Sequence, residues 1–416
     1  IFGFTLLIIF LAACNLSSGK KKDTDDSLQN YPPAPVQLDK KEFRFYYRVL
    51  SDFFDSSLLT KNFNGGILIA KNGAVIYEKY SGLIDLRKKD LPAGQADSIT
   101  ASTPFQVAST SKPFTAMAIL RMVQEKKLSL EDSLSKYFPG LPYPGITIKM
   151  LLNHRSGLPN YVYFIPNSNW DKMKDVTDND VLNLLFALRP KRSFPPGTHF
   201  SYCNTNFVLL ALIIEKISGE KFPEYMKKNI FDPLQMSNTF VFTPADSTRA
   251  TPSFNYDRSY WKNDFLDETY GDKNVYTTPV DLLKWDQALY TDKVISKSMQ
   301  DSAFSPYSFE NKSIHNYGLG WHLLLLPNGK KVIYHFGRWH GFNAAFARLT
   351  DEKVTIIILG NKFSRNIYNV AHQCYDIFGD YQQHHVNEEE ESENTEVNKK
   401  SFPLKEKKSK STSKKY

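Results

Sequence analysis

The sequence predicts an α+β fold: an antiparallel sheet flanked by helices, joined to a mainly helical lobe. Three observations carry this. Turn-punctuated apolar runs stand towards both ends of the chain, at residues 63–84 and again at 317–359. The stretch between them shows apolar spacing of helical period. The block 41–382 is long for one core and suits two lobes that share a cleft.

Taken in order, residues 41–59 read as a helix, and 63–84 as a hairpin around Asn72-Gly73, a strong turn signal. Residues 104–108 are strand-like and lead into the apolar stretch 113–123, with Pro113 suited to a first helical turn. Phe194-Pro-Pro-Gly-Thr198 is a turn. The helix after it carries Phe207, Leu210, Ala211, Ile214 and Ile217 on one side and closes at Gly219. Residues 317–326, 331–336, 342–349 and 354–359 read as antiparallel strands, with turns at Pro327-Asn-Gly329 and Asp351-Glu-Lys353. A helix over 365–378 joins 41–59 in covering one face of the sheet. The helical lobe spans about 106–300.

Three short motifs follow one another: Ser109-Thr-Ser-Lys112, Tyr202-Cys-Asn204 and His335-Phe-Gly337. Ser-x-x-Lys alone is weak, since it occurs seven times. Only at Ser109 does a strand precede it and an apolar helix follow, which puts Ser109 and Lys112 one turn apart on a shared face. Tyr-x-Asn and His-x-Gly are each unique. The set supplies what acyl transfer through a serine ester requires. A serine hydroxyl needs a base to take its proton. A lysine buried against an apolar helix, or a tyrosine flanked by cations, can serve; the sequence leaves both open. The N–H groups of Ser109 and Arg338 are the candidate oxyanion donors.

These segments resemble the serine beta-lactamase-related hydrolases, the group of class C beta-lactamases, D-Ala-D-Ala carboxypeptidases and esterases. The resemblance runs from about residue 63 to 380 and includes Phe105-Gln-Val-Ala-Ser-Thr-Ser-Lys-Pro-Phe-Thr-Ala116. It also includes Thr147-Ile-Lys-Met-Leu-Leu-Asn-His-Arg-Ser-Gly-Leu-Pro159, Pro196-Gly-Thr-His-Phe-Ser-Tyr-Cys-Asn204 and Thr278-Pro-Val-Asp-Leu-Leu-Lys-Trp285. It implies that Ser109 is acylated, that Lys112 and Tyr202 exchange protons with it, and that Asn204, His335, Gly337 and Arg338 hold substrate. The third motif departs from the family. Members acting on beta-lactams or D-Ala-D-Ala peptides carry Lys-Thr-Gly or Lys-Ser-Gly, whose lysine and hydroxyl bind a carboxylate. Here His335 and Phe336 stand instead, with Arg338 as a substitute cation. The expectation is therefore an esterase or amidase/peptidase acting on a small ester, amide or peptide. The alternatives are a beta-lactamase or carboxypeptidase, and a non-catalytic cell-wall binder on the same fold.

Residues 1–11 are apolar and too short to span a membrane. With no charged start and no initiator methionine, residues 1–14 read as a truncated lipoprotein signal peptide. Leu11-Ala-Ala-Cys14 resembles a lipobox that would lipidate Cys14; an ordinary export signal is the other reading. Residues 15–40 read as a flexible tether, 41–382 as the hydrolase domain and 383–416 as a charged disordered tail. The expected location is the bacterial cell envelope, lipid-anchored. The net charge of +8 is spread along the chain without a nucleic-acid module, so no nucleic-acid partner is expected. No cofactor and no metal are expected, because no Cys/His cluster has ligand spacing. Cys203 and Cys374 can be a disulfide or two thiols. Rings near 161–170 and 256–261 are candidates to shape the substrate pocket.

Overall fold

The computed structural model describes residues 31–88 and 97–382. The lipobox, the start of the tether and the charged tail lie outside the described residues. Helix α1 (Lys40–Ser57) opens the body. The Asp39 carboxylate caps it by accepting from the Lys41 and Glu42 N–H groups at 2.8 and 2.9 Å. Residues 31–39, expected as flexible tether, touch the body. Tyr31 is buried and its carbonyl accepts from Gln235 Nε2 at 2.6 Å. The Val36 N–H donates to Asn72 O at 3.1 Å.

Strands β1 (Gly65–Lys71) and β2 (Ala74–Ser81) form the expected hairpin. Asn72 and Gly73 have φ of 52° and 76°, the left-handed values a two-residue primed turn demands. Strands β3 (Phe105–Gln106), β4 (Phe240–Val241) and β5 (Val275–Thr277) make a small sheet in the order β3-β5-β4. β3 falls within the strand-like 104–108, but β4, β5 and the pairing of the three are unpredicted, because two- and three-residue strands carry no readable alternation. Strands β6 (His315–Tyr317), β7 (His322–Leu325), β8 (Lys331–Trp339), β9 (Phe342–Leu349) and β10 (Val354–Gly360) complete the main sheet. Its order is β2-β1-β10-β9-β8-β7-β6, and every neighbouring pair is antiparallel. The single strand expected over 317–326 is thus two. Gly320, at φ 85°, turns the chain against helix Lys112–Gln124: a Cβ there would stand 2.3 Å from Ala116 Cβ.

Period-two alternation splits the sheet's side chains between two cores. Ile67, Ile69, Ala345, Ala347, Ile356 and Ile358 face α1 and helix Asn366–Tyr375. Leu68, Ala70, Ala344, Phe346, Ile357 and Leu359 face the helical lobe. Strands β9 and β10 are buried along their whole length, as strands covered on both faces must be. Helix α2 (Lys112–Gln124) is apolar almost all round and runs through the interior of the lobe.

One buried ion pair fastens the lobe's helix Pro279–Ala288 to the sheet. Arg348 Nε donates to Asp286 Oδ1 at 2.6 Å with both side chains out of solvent, and Thr355 Oγ1 donates to Asp286 Oδ2 at 2.5 Å. Removing one partner of such a pair strands the other. Asp286→Ala should therefore lower the unfolding free energy by roughly 3–5 kcal/mol in urea titration. A loss of about 1 kcal/mol or less would mean the pair behaves like an exposed one.

Candidate active site

Ser109, the candidate nucleophile, sits on a turn fixed from several sides. Strand β3 ends at Gln106, Ala108 takes a left-handed φ of 47°, and Ala108–Ser111 makes a 3-10 turn running into α2. A left-handed alanine costs on the order of 1 kcal/mol and persists only where its surroundings over-determine it. Those surroundings are present. The Val107 N–H donates to Val275 O at 2.9 Å, and Ser111 Oγ accepts from the Val275 N–H at 3.0 Å. Thr110 Oγ1 donates to the His335 carbonyl of β8 at 3.0 Å. Gly337 then lies against the turn so closely that a Cβ would stand 2.1 Å from Val107 O and 2.9 Å from the Ser109 nitrogen. Glycine is needed here for a close backbone approach, and the contact puts the N–H groups of Ser109 and Arg338 on adjoining segments.

Lys112 Nζ lies 3.1 Å from Ser109 Oγ, 2.8 Å from Asn204 Oδ1 and 2.9 Å from the Asp272 carbonyl. The lysine is fully buried and all three partners are uncharged oxygens. Burial brings its pKa down to about 7; the Asp272 carboxylate opposes this shift and Lys273 adds to it. Tyr202 packs over the same amine, whose nitrogen is 4.8 Å from the ring centroid. Helix Asn204–Ser218 delivers Asn204 from its first position, and the Cys203 N–H just before it donates to His154 Nδ1 at 3.1 Å. The structure therefore brings Ser109, Lys112, Tyr202, Asn204, His335 and Gly337 to one place.

His335 and Arg338 differ from expectation. His335 is buried and uses both ring nitrogens inside the protein: Nε2 with Tyr317 Oη at 3.1 Å, Nδ1 with the Phe336 carbonyl at 2.9 Å. Burial, then neighbouring His322 and Lys112, hold its pKa well below the ordinary value, so the ring is neutral. It offers a substrate carboxylate neither charge nor a spare nitrogen. Arg338 follows the parity of the strand. His335 and Gly337 face the nucleophile, so residues 336 and 338 face the other way. Phe336 stacks on Tyr368 at 5.5 Å, and the Arg338 guanidinium lies 5.8 Å from the Phe363 ring centroid. Its side chain does not replace the missing lysine; its main-chain N–H remains the oxyanion candidate.

Several residues around the site were not singled out from sequence. His154 is fully buried 4.3 Å from the Tyr202 ring. Tyr317 and His322 complete an aromatic wall, with His322 stacked on Tyr202 at 6.0 Å and 4.8 Å from His335. Asp272 and Lys273 stand behind Lys112. Tyr161, expected among the pocket rings, is buried there and donates to Asp272 Oδ2 at 2.8 Å, so it anchors its loop. Cys203 and Cys374 are free thiols in different cores, so the disulfide alternative falls away. Among the described residues one group has metal-ligand spacing: Asp264, Asp267 and His340. There Asp267 Oδ1 already accepts from Trp339 Nε1 and pairs with His340 Nε2, both at 2.7 Å.

A strand edge laid over a serine turn, with lysine, tyrosine and asparagine converging on it, defines the serine hydrolases of the beta-lactamase and penicillin-binding type. Residues 59–372 match the family described as Beta-lactamase, and the chain belongs to that family. It is 34% identical over 339 residues to penicillin-binding protein 4-star of Bacillus subtilis (strain 168), covering 77% of this chain and 73% of the relative. The penicillin-binding protein from Bacillus halodurans superposes with a TM-score of 0.69 at 25% identity, over 79% of this chain and 99% of that one. The D-amino acid amidase from Ochrobactrum anthropi SV3, complexed with L-phenylalanine amide, gives a TM-score of 0.62 at 21% identity. It covers 77% and 91% of the two chains and supports the fold.

The Gly337 contact predicts a positional effect. Gly337→Ala should force β8 away from the Ser109 turn and lower kcat/KM for an ester substrate by roughly 100-fold. The test is a steady-state assay beside a thermal melt. A folded variant with unchanged kcat/KM would contradict the contact.

Proposed function

We propose that the protein hydrolyses an uncharged ester or amide through an acyl ester on Ser109. The observation that carries this reading is the Lys112 amine, buried 3.1 Å from Ser109 Oγ with its pKa brought to about 7. At neutral pH a large fraction is unprotonated and can take the serine proton. Ser109 Oγ attacks the carbonyl carbon, and the carbonyl electron pair moves onto oxygen. The N–H groups of Ser109 and Arg338 hold that oxyanion. Its collapse breaks the bond to the leaving group, which departs with the proton passed from Lys112 through Tyr202. A water then attacks the acyl carbon and gives its proton to the same pair. Collapse of the second intermediate returns a proton to Ser109 Oγ and frees the acid. The Tyr202 ring lies 4.8 Å from Lys112 Nζ, and this reading takes the two as one proton carrier.

The third motif supports the choice of substrate. A neutral His335 tied to Tyr317 leaves the third motif without a charged side chain facing Ser109, which disfavours a carboxylate beside the scissile bond. Beta-lactam or D-Ala-D-Ala hydrolysis is the second reading. The names of the Bacillus relatives favour it, and the lost cation speaks against it. A binding protein without turnover would have no need of a lysine held uncharged beside a serine. The envelope location and the lipid on Cys14 rest on the Leu11-Ala-Ala-Cys14 sequence alone.

Wild-type protein should hydrolyse p-nitrophenyl butyrate, and Ser109→Ala should lower kcat roughly 1,000-fold or more while keeping the fold. Turnover retained by a folded Ser109→Ala would remove Ser109 as nucleophile. The ester should also be preferred over its carboxylate-bearing analogue, p-nitrophenyl hemisuccinate, by about tenfold or more in kcat/KM. A preference for the hemisuccinate would reverse the reading of His335.

A further inference from the structure

One residue holds Tyr202 from both sides. The Ser201 N–H donates to the His154 carbonyl at 3.0 Å, and the Cys203 N–H donates to His154 Nδ1 at 3.1 Å. His154 follows helix Ile148–Leu152 with a left-handed φ of 57°. Histidine enters that region more readily than most side chains, yet such a conformation persists only where its surroundings fix it. Here its carbonyl and its ring nitrogen both reach the tyrosine loop. Arg155 continues the seam. Its carbonyl accepts from the Gly197 N–H at 2.8 Å, and its Nη2 donates to the Gly197 carbonyl at 2.9 Å. Glu310 closes it, accepting from Arg155 Nη1 at 2.8 Å and from the Phe200 N–H at 2.6 Å.

The hydrogen bonds decide where the imidazole proton lies. A main-chain N–H can only donate, so Nδ1 accepts from Cys203. Asn206 Oδ1 accepts from Ser156 Oγ at 2.6 Å. That leaves the Asn206 amide nitrogen to donate to His154 Nδ1 at 3.2 Å. Nδ1 therefore accepts twice, and the ring proton sits on Nε2. The side chain is fully buried. Burial, then neighbouring Lys112 and His322, hold its pKa well below the ordinary value, so the ring stays neutral and Nδ1 stays an acceptor. The ring so fixed lies 4.3 Å from the Tyr202 ring at an interplanar angle of 38°. With the backbone pinned at residues 201 and 203, only the side-chain torsions of Tyr202 remain, and packing on His154 limits them.

We propose that His154 is the positioning residue for Tyr202. Its carbonyl and Nδ1 fix the chain on either side of the tyrosine, and its ring sets where the phenol lies over Lys112. The placement matters because Lys112 Nζ stands 4.8 Å from the Tyr202 ring centroid, and a shift on the order of 1 Å in such a site costs roughly 100-fold in rate. The ring bonds of His154 go to Cys203 and Asn206, not to Ser109 or Lys112. Its influence on the reaction therefore passes through the tyrosine. The inference rests on the reading of Tyr202 as a proton carrier only for its effect on the rate.

Two replacements isolate the Nδ1 bond. His154→Asn puts an amide oxygen where Nδ1 stands and suits a left-handed backbone; His154→Gln puts its oxygen near Nε2 and leaves the Cys203 N–H without its acceptor. With p-nitrophenyl butyrate, His154→Gln should lower kcat roughly 100-fold with little change in KM, and His154→Asn should stay within about tenfold of wild type. In a Tyr202→Phe background the two replacements should agree within about threefold, because the group they position is gone. Where Tyr202→Phe itself slows turnover, a His154→Gln as active as His154→Asn would overturn the assignment. So would one that loses as much again in the Tyr202→Phe background. Hydrogen exchange reads the positioning without turnover. The Ser201 and Cys203 amides should be protected in wild-type protein, and the Cys203 amide should exchange about tenfold or more faster in His154→Gln than in His154→Asn. Unprotected amides in the wild type would overturn the assignment whether or not the variants fold. A Tyr202→Phe as fast as wild type, with the amides protected as expected, would uphold the positioning and remove Tyr202 from the proton path.

Discussion

Burial of the Lys112 amine is the constraint around which the site is built. An ammonium taken out of water is expensive unless an anion meets it. Here the atoms it meets are a hydroxyl, an amide oxygen and a main-chain carbonyl. Each is close enough to fix the nitrogen, and none carries the charge that would lock it as an ammonium. The result is an amine tuned towards neutrality by its surroundings, the general route by which a lysine becomes useful at physiological pH. The surrounding elements then have definite tasks. Helix α2 carries the lysine one turn after Ser109, helix Asn204–Ser218 brings the amide, and the 271–272 segment brings the carbonyl. Thr115 Oγ1, donating to the Gly271 carbonyl at 2.7 Å, holds that segment to α2.

The second constraint is the close approach of β8 to the serine turn. Gly337 permits it, and the bond from Thr110 Oγ1 to the His335 carbonyl fastens it. This joins the sheet to the lobe at the reacting atoms, while the Arg348–Asp286 pair joins them further down the same face. His335 keeps the strand's inward direction but turns both nitrogens to the protein, so it presents an uncharged ring towards Ser109. Tyr202, Tyr317, His154 and His322 extend the aromatic wall.

Much of this was legible in the chain because the chemistry lies in contiguous motifs. Ser109 and Lys112 are one turn apart, and Tyr202 and Asn204 flank a helix start, so their convergence needs only correct element types. The hairpin at Asn72-Gly73 and the strands β8 to β10 follow from turn residues and apolar runs. Contributions made through the backbone or across the chain were not legible. The bond from Lys112 to Asp272 goes to its main-chain carbonyl, which residue type does not reveal. The partner of His335 is Tyr317, eighteen positions earlier, and only tertiary contact shows that the ring is satisfied. Arg338 is different. Strand parity already sets it opposite His335 and Gly337, and that signal was available. The pairing of the small β3-β5-β4 sheet escaped because strands of two and three residues are too short to repeat a pattern.

The most direct test of the central claim is the rate at which a fluorophosphonate labels Ser109 as a function of pH. Labelling needs Ser109 deprotonated by its base, so the rate should rise as Lys112 loses its proton, reaching half its maximum near the pKa of about 7. A half-point near the ordinary lysine value of 10.5, or a rate independent of pH, would contradict a lysine held uncharged by burial.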